Sequence, residues 1–167
     1  TSVRAFSNQM TWLRDRGYTT LTMYQLEGYL RNKINLPARS VVITFDDGYP
    51  DWLAGVAPAL RRRNLHATFF ITSGQFDGVP LWHERILAAV RRLSGPSLDM
   101  GIPFLPAQPV ASIDDRRRQV QRLEQELKYL TLYRREQILQ QLEAEAGVHS
   151  DDVPVMSETQ LRDLHSQ

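Results

Sequence analysis

Apolar positions recur along the chain in two rhythms, and each predicts a kind of element. Phe6, Met10 and Leu13 fall three or four positions apart, the spacing of one buried helix face. They predict a helix over 4–16, capped by Gly17. Residues 18–21 read as a short strand. Thr22 and Gln25 form a capping box for a second helix reaching about residue 32, with Tyr24, Leu26, Tyr29 and Leu30 as its apolar surface. The other rhythm is a run without alternation. Val41-Val42-Ile43, inside 40–45, predicts a strand buried on both faces, as in a parallel sheet. Asp46-Asp47-Gly48 ends it. A helix is expected over 50–63, with Pro50 in its first turn and Pro58 kinking or restarting it. Arg61, Arg62 and Arg63 complement its C-terminus. Residues 67–72 form the next strand. The segment 40–72 therefore reads as a βαβ unit with a right-handed crossover.

Beyond residue 75 the pattern becomes helical. A helix is predicted over 82–93. The stretch 94–111 carries Pro96, Pro103, Pro106, Pro109, Gly95 and Gly101, and reads as an irregular loop. Two charged helices follow, over 113–130 and 132–146, the second closed by Gly147. Leu123, Leu127, Leu130, Ile138 and Leu142 are spaced for ordinary helix packing. This part reads as a helical insertion, packed as a hairpin against the rim of an α/β domain. Ser157 and Gln160 make a further capping box, opening a helix that the end of the sequence interrupts.

Charge narrows the function only a little. Twenty basic residues nearly balance 19 acidic ones, for a net charge of +1. Bulk charge therefore argues for neither a nucleic-acid nor a membrane-surface partner. There is no cysteine, which excludes disulfides and thiolate metal sites. No apolar run approaches the roughly 18 residues of a membrane span. The sequence begins at Thr1 without a signal-like segment, and the lack of an initiator Met is expected to reflect processing or trimming, which leaves an earlier targeting signal open.

The chemistry concentrates in Thr44-Phe45-Asp46-Asp47-Gly48-Tyr49. Two adjacent carboxylates close a strand, and a glycine lets the backbone turn sharply after them. In α/β sheets, ligands gather at the C-terminal ends of strands. Successive side chains leaving a strand diverge, so one carboxylate can hold a metal while its neighbour reaches a metal-bound water. Like charges this close favour a bound cation or a shared proton. The plainer alternative is turn chemistry, with an aspartate capping the next helix. The surrounding βαβ pattern weighs against it.

The run Val41–Tyr49 resembles the first motif of the polysaccharide deacetylase family (carbohydrate esterase family 4, the NodB-like fold). The resemblance extends to Phe6, Gln9, Met10, Leu13, Gly17 and Tyr18 before it. It continues in Leu60 and Ala67-Thr68-Phe69-Phe70-Ile71, and again in Met156, Ser157, Gln160 and Leu161. It implies an α/β fold, a partial distorted (β/α) barrel with an α-helical insertion. Residues 1–76 would be the N-terminal part of the barrel, 77–150 the insertion, and 151–167 the start of the next barrel helix. It also implies metal-dependent hydrolysis of N-acetyl groups on a polysaccharide, releasing acetate. Asp46 would be the general base and Asp47 a ligand to a divalent metal, most often Zn2+. Backbone near Tyr49 would help stabilise the oxyanion. The same resemblance favours a cell-envelope, periplasmic or extracellular location, with a cytoplasmic one left open.

The sequence departs from the family pattern in one respect. The family's second motif carries two histidines four positions apart, and His66, His83, His149 and His165 contain no such pair. That motif is expected beyond Gln167, so the chain alone is expected to bind zinc poorly and to be inactive. His66 is expected to be structural or at the surface, and His149 in a loop. His83 is expected to pack with Trp82, with substrate contact as the lesser reading. Trp12 and Trp52 are expected in the core. Two other readings compete. One is a non-catalytic relative that binds glycan or protein without the metal-binding histidines. The other is a phosphatase-like hydrolase using Asp46 as nucleophile, ranked last because Gly48 stands where its second carboxylate belongs.

Overall fold

The computed structural model describes residues 2–72, 74, 80–149 and 156–166. The chain divides into two compact units, Thr1–Asp77 with Val155–Gln167, and Gly78–Pro154.

The first unit opens with α1 (Val3–Asp15), whose N-terminus is capped by the Ser2 hydroxyl accepting from the Ala5 N–H. Gly17, at φ 67, turns the chain into β1 (Thr19–Leu21). Thr22 and Gln25 cap α2 (Met23–Arg31) reciprocally, as their spacing predicts. The predicted strand over 40–45 is two strands, β2 (Ser40–Val42) and β3 (Thr44–Asp47). β2 pairs in parallel with β1, and β3 in parallel with β4 (Thr68–Ile71). A 3-10 turn (Pro50–Trp52) and α3 (Val56–Arg61) connect β3 to β4. The single helix expected over 50–63 is thus broken. Pro58 is the third residue of α3, where no intrahelical N–H bond is lost. The last element, α7 (Glu158–His165), begins at the predicted Ser157–Gln160 capping box and closes at Ser166.

Two expectations for this unit fail. Val41, Val42 and Ile43 are half-buried, not buried on both faces. In β3 and β4 only one face is covered. Phe45, Phe69 and Ile71 pack with buried Trp52, Ala57, Met156 and Leu164, whereas Thr44 and Asp46 are exposed and Phe70 is 48% exposed. Trp12 is not core either. It is 47% exposed, stacked on Tyr18 at 5.6 Å with the Arg16 guanidinium 4.6 Å from its ring centre. Trp52 is buried, as expected.

The second unit contains α4 (Trp82–Arg92), α5 (Ile113–Leu127) and α6 (Leu132–Ala146). α4 packs against both of the others, so the unit is a three-helix body and not a two-helix hairpin. Ile86, Val90, Leu123, Leu127, Ile138 and Leu142 form its core. Residues 94–111 are more ordered than their prolines suggest. They hold the antiparallel pair β5 (Ser97–Leu98) and β6 (Gln108–Pro109) and bury Leu98, Met100, Ile102, Leu105 and Val110. Gly147 closes α6 in the left-handed conformation, at φ 62.

Inside this core lies one cation. The Arg85 side chain is 5% exposed and makes two two-pronged contacts. Its Nε and Nη2 donate to the two Glu143 oxygens at 2.7 and 2.9 Å, and Nη1 and Nη2 to those of Glu136 at 2.7 and 2.9 Å. The Glu143 bond is the main reason the guanidinium holds its proton more tightly than usual. Arg85 in turn holds the Glu136 carboxyl below its usual range.

Arg85→Met is expected to cost about 3–5 kcal/mol, because it strands Glu143 as a buried unpaired charge; the urea unfolding midpoint reports this. Acidification acts in the same place. Glu136 is depressed on folding, so its contribution is complete above the ordinary glutamate value near 4.5 and fades as pH falls through the folded value. Urea midpoints measured downward from neutral pH should decline in that window, and the decline should be smaller in Glu136→Gln.

Candidate functional site

The site is built on the end of β3. Both aspartates lie inside the strand rather than after it, with Asp46 opposite Phe70 and Asp47 opposite Ile71. Asp46 is exposed on the uncovered face of the strand pair; Asp47 is half-buried. Then the backbone changes hand. Asp47 has φ 84 and Gly48, which is buried, has φ 93. A glycine takes such angles freely, whereas an aspartate there is strained by roughly 1–2 kcal/mol. The Thr72 N–H donates to the Asp47 carbonyl at 3.5 Å, the last rung of the β3–β4 ladder.

Tyr49 follows at once. Its half-buried ring meets Trp52 edge-on at 6.1 Å, and its carbonyl accepts from the Trp52 N–H at 3.2 Å. Asp46, Asp47 and Tyr49 are thus gathered at one strand end, as the sequence predicts. Neither aspartate is the residue that caps the helical turns that follow. The residue capping the 3-10 turn is Tyr49, and the one capping α3 is Gly55; neither helical start has a side-chain cap bond.

The histidines are placed differently. His66 is exposed just before β4, and its backbone N–H donates to the Thr20 hydroxyl at 2.8 Å. His165, on α7, lines a cavity of about 240 Å³ with His66, Thr22, Arg61 and Leu65. His83 stands edge-on to Trp82 at 5.9 Å, the packing pair expected. His149 is exposed after α6. His83 and His149 both belong to the second unit.

Among the described residues, no three His, Asp or Glu side chains are grouped to hold a metal ion. A catalytic zinc usually takes three protein ligands. Carboxylate oxygens suit a divalent ion, but Asp46 and Asp47 do not complete such a set. The sequence reading missed the open face beside them, formed by Thr44, Asp46 and Phe70. Its signal was the polar alternation Thr44, Asp46 around Phe45, masked by the apolar run just before it.

Residues 33–93 match the family model for polysaccharide deacetylase. The matched segment contains β2, β3, α3, β4 and α4, and with them Asp46, Asp47 and Tyr49. The chain is similar to the putative polysaccharide deacetylase YxkH of Bacillus subtilis (strain 168), 37% identical over 68 residues, covering 41% of this chain and 24% of that protein. It is also similar to the poly-beta-1,6-N-acetyl-D-glucosamine N-deacetylase of Escherichia coli (strain K12), 39% identical over 57 residues, 34% of this chain and 8% of that protein. The chain thus spans a quarter or less of these curated relatives. The BpsB deacetylase domain from Bordetella bronchiseptica aligns with 70% of this chain and 39% of its own, at 22% identity and a TM-score of 0.40. Among the described residues, no helix is long and apolar enough to cross a membrane.

The strain at Asp47 can be isolated. Asp47→Ala and Asp47→Gly both delete the carboxylate, but only glycine relaxes at φ 84. The glycine variant is expected to be the more stable by about 1 kcal/mol in urea unfolding. Equal stabilities would show that the positive φ is not held in solution.

Proposed function

We propose that this chain is the part of a polysaccharide N-deacetylase that carries the general base and one metal ligand, on the first strands of a distorted (β/α) barrel. The observation that carries this reading is the pair Asp46 and Asp47, on a strained strand end beside an open sheet face, inside the segment that matches the family. The substrate class is an N-acetylated polysaccharide, which the naming of the Escherichia coli relative supports. A cell-envelope location accords with such a substrate.

Asp46 takes the proton from an attacking water as its oxygen adds to the acetamide carbonyl carbon. Backbone around Tyr49 faces the developing oxyanion. The C–N bond then breaks, the leaving nitrogen takes back the proton that Asp46 removed from the water, and amine and acetate are released. Asp47 offers one carboxylate to a divalent metal, zinc first among them, whose chemistry when bound is to polarise the carbonyl and acidify the water. A second reading, a non-catalytic relative that binds glycan or protein, is favoured in that no three-ligand group is present among the described residues.

Calorimetric titration with zinc separates the parts of this proposal. The 167-residue chain is expected to bind weakly and to release no acetate from N-acetylglucosamine oligomers; tight one-to-one binding would overturn the assignment of Asp47 as its lone strong ligand. In a polypeptide that continues past Gln167 into a His-x-x-x-His segment, Asp46→Asn should keep zinc and lose roughly 10²–10⁴-fold in acetate release. Asp47→Ala should lose both. An unimpaired Asp46→Asn enzyme would sink the base, and a polypeptide without such a segment would favour the binding reading.

A further inference from the structure

The turn between α5 and α6 exposes what a folded protein ordinarily hides. Tyr129 is 84% exposed, Leu132 75% and Tyr133 74%, all within five positions. Single exposed apolar residues need no explanation, but three large ones gathered at one turn do. Local folding does not require them. The turn is held by Leu130 packing into the helical core and by the Thr131 hydroxyl capping α6. Charge is arranged around the same turn. Lys128, Arg134 and Arg135 flank the three residues, and no acidic residue lies between 128 and 135. The nearest acids are Glu126, one turn back in α5, and Glu136, already held by Arg85. The Lys128 ammonium sits 5.7 Å from the Tyr129 ring centre, and the Arg135 guanidinium 4.9 Å from that of Trp82. The near-zero net charge of the whole chain conceals this local excess.

We propose that the α5–α6 turn is a docking tip for an anionic lipid surface. Three features select this occupant. Tyr129, Leu132 and Tyr133 are each at least 74% exposed, whereas small-molecule sites are concave and bury their ligand. Leu132 offers a hydrated sugar or a phosphate nothing, but it gains by entering the acyl boundary. Tyrosines flanked by lysine and arginine are the residues that settle at a membrane interface, with rings at headgroup level and cations toward anionic lipid. The contact is peripheral and reversible, and salt weakens it. It stands independently of the deacetylase reading.

Vesicle co-sedimentation of the 167-residue protein tests it. Vesicles of phosphatidylcholine mixed with phosphatidylglycerol are compared with phosphatidylcholine alone. The protein is expected to sediment with the mixed vesicles and to be released by high salt. The combined variant Tyr129→Ser, Leu132→Ser, Tyr133→Ser should lose sedimentation while keeping its circular dichroism. Lys128→Gln and Arg134→Gln should each weaken partition about fivefold, and they decide the matter should the triple variant misfold. Absence of sedimentation in the parent protein, or unchanged sedimentation in the variants, overturns the proposal. So does a parent protein that self-associates without binding vesicles and becomes monomeric in the triple variant, which would make the turn a contact between copies of the chain.

Discussion

Phe45 stacks on Phe69 across the β3–β4 ladder, ring centres 4.9 Å apart, and Trp52 closes on both at 5.6 and 5.2 Å. This aromatic cluster grips the site from two directions. Phe45 immediately precedes Asp46, and Trp52 follows Tyr49 by three positions. The residues between them are pinned at both ends of a short loop. A two-stranded parallel pair is marginal by itself, so what the rings bury largely decides whether the pair persists. Each buried large apolar side chain contributes on the order of 1.5–3 kcal/mol. The strain of one aspartate at positive φ is smaller than that of the cluster behind it. The fold can therefore hold Asp47 in a conformation the residue would not choose.

The same cluster explains why the strand pair has two unlike faces. Phe45, Phe69 and Ile71 turn toward α3 and α7, and their neighbours in sequence must turn away. Thr44, Asp46 and Phe70 consequently share an uncovered face. The exposure of Asp46 is thus a by-product of burying Phe45, fixed by the two-residue period of a strand.

What could be read from the sequence was what local chemistry decides. The capping boxes at Thr22 and Ser157 and the cap at Gly147 stand where their residue types put them, because each needs partners only three or four positions away. The gathering of Asp46, Asp47 and Tyr49 was legible for the same reason. The failures lie where the partner is distant. The strand was expected to end before the aspartates, but its extent is set by register with residues 68–71. Val41-Val42-Ile43 looked doubly buried, yet burial depends on what covers each face, which no local pattern encodes. Arg85 and Glu143 are 58 positions apart, and nothing in either neighbourhood announces their pairing. The buried residues of 94–111 were hidden by prolines that shape the segment without excluding it from the core.

The aspartate pair itself poses the remaining question: whether its conformation serves folding or chemistry. Had Asp46 or Asp47 capped the following helix, turn formation would account for both residues and no function would be needed. The helical starts after β3 are instead capped by Tyr49 and Gly55, with no side-chain bond at either. Asp47 keeps a positive φ that glycine prefers and that aspartate and asparagine adopt more readily than other side chains. Strain of this kind clusters at functional sites, and here it falls inside the segment that matches the polysaccharide deacetylase model. Among the described residues no three His, Asp or Glu side chains are grouped to hold a metal ion, so Asp46 and Asp47 do not by themselves complete a three-ligand set.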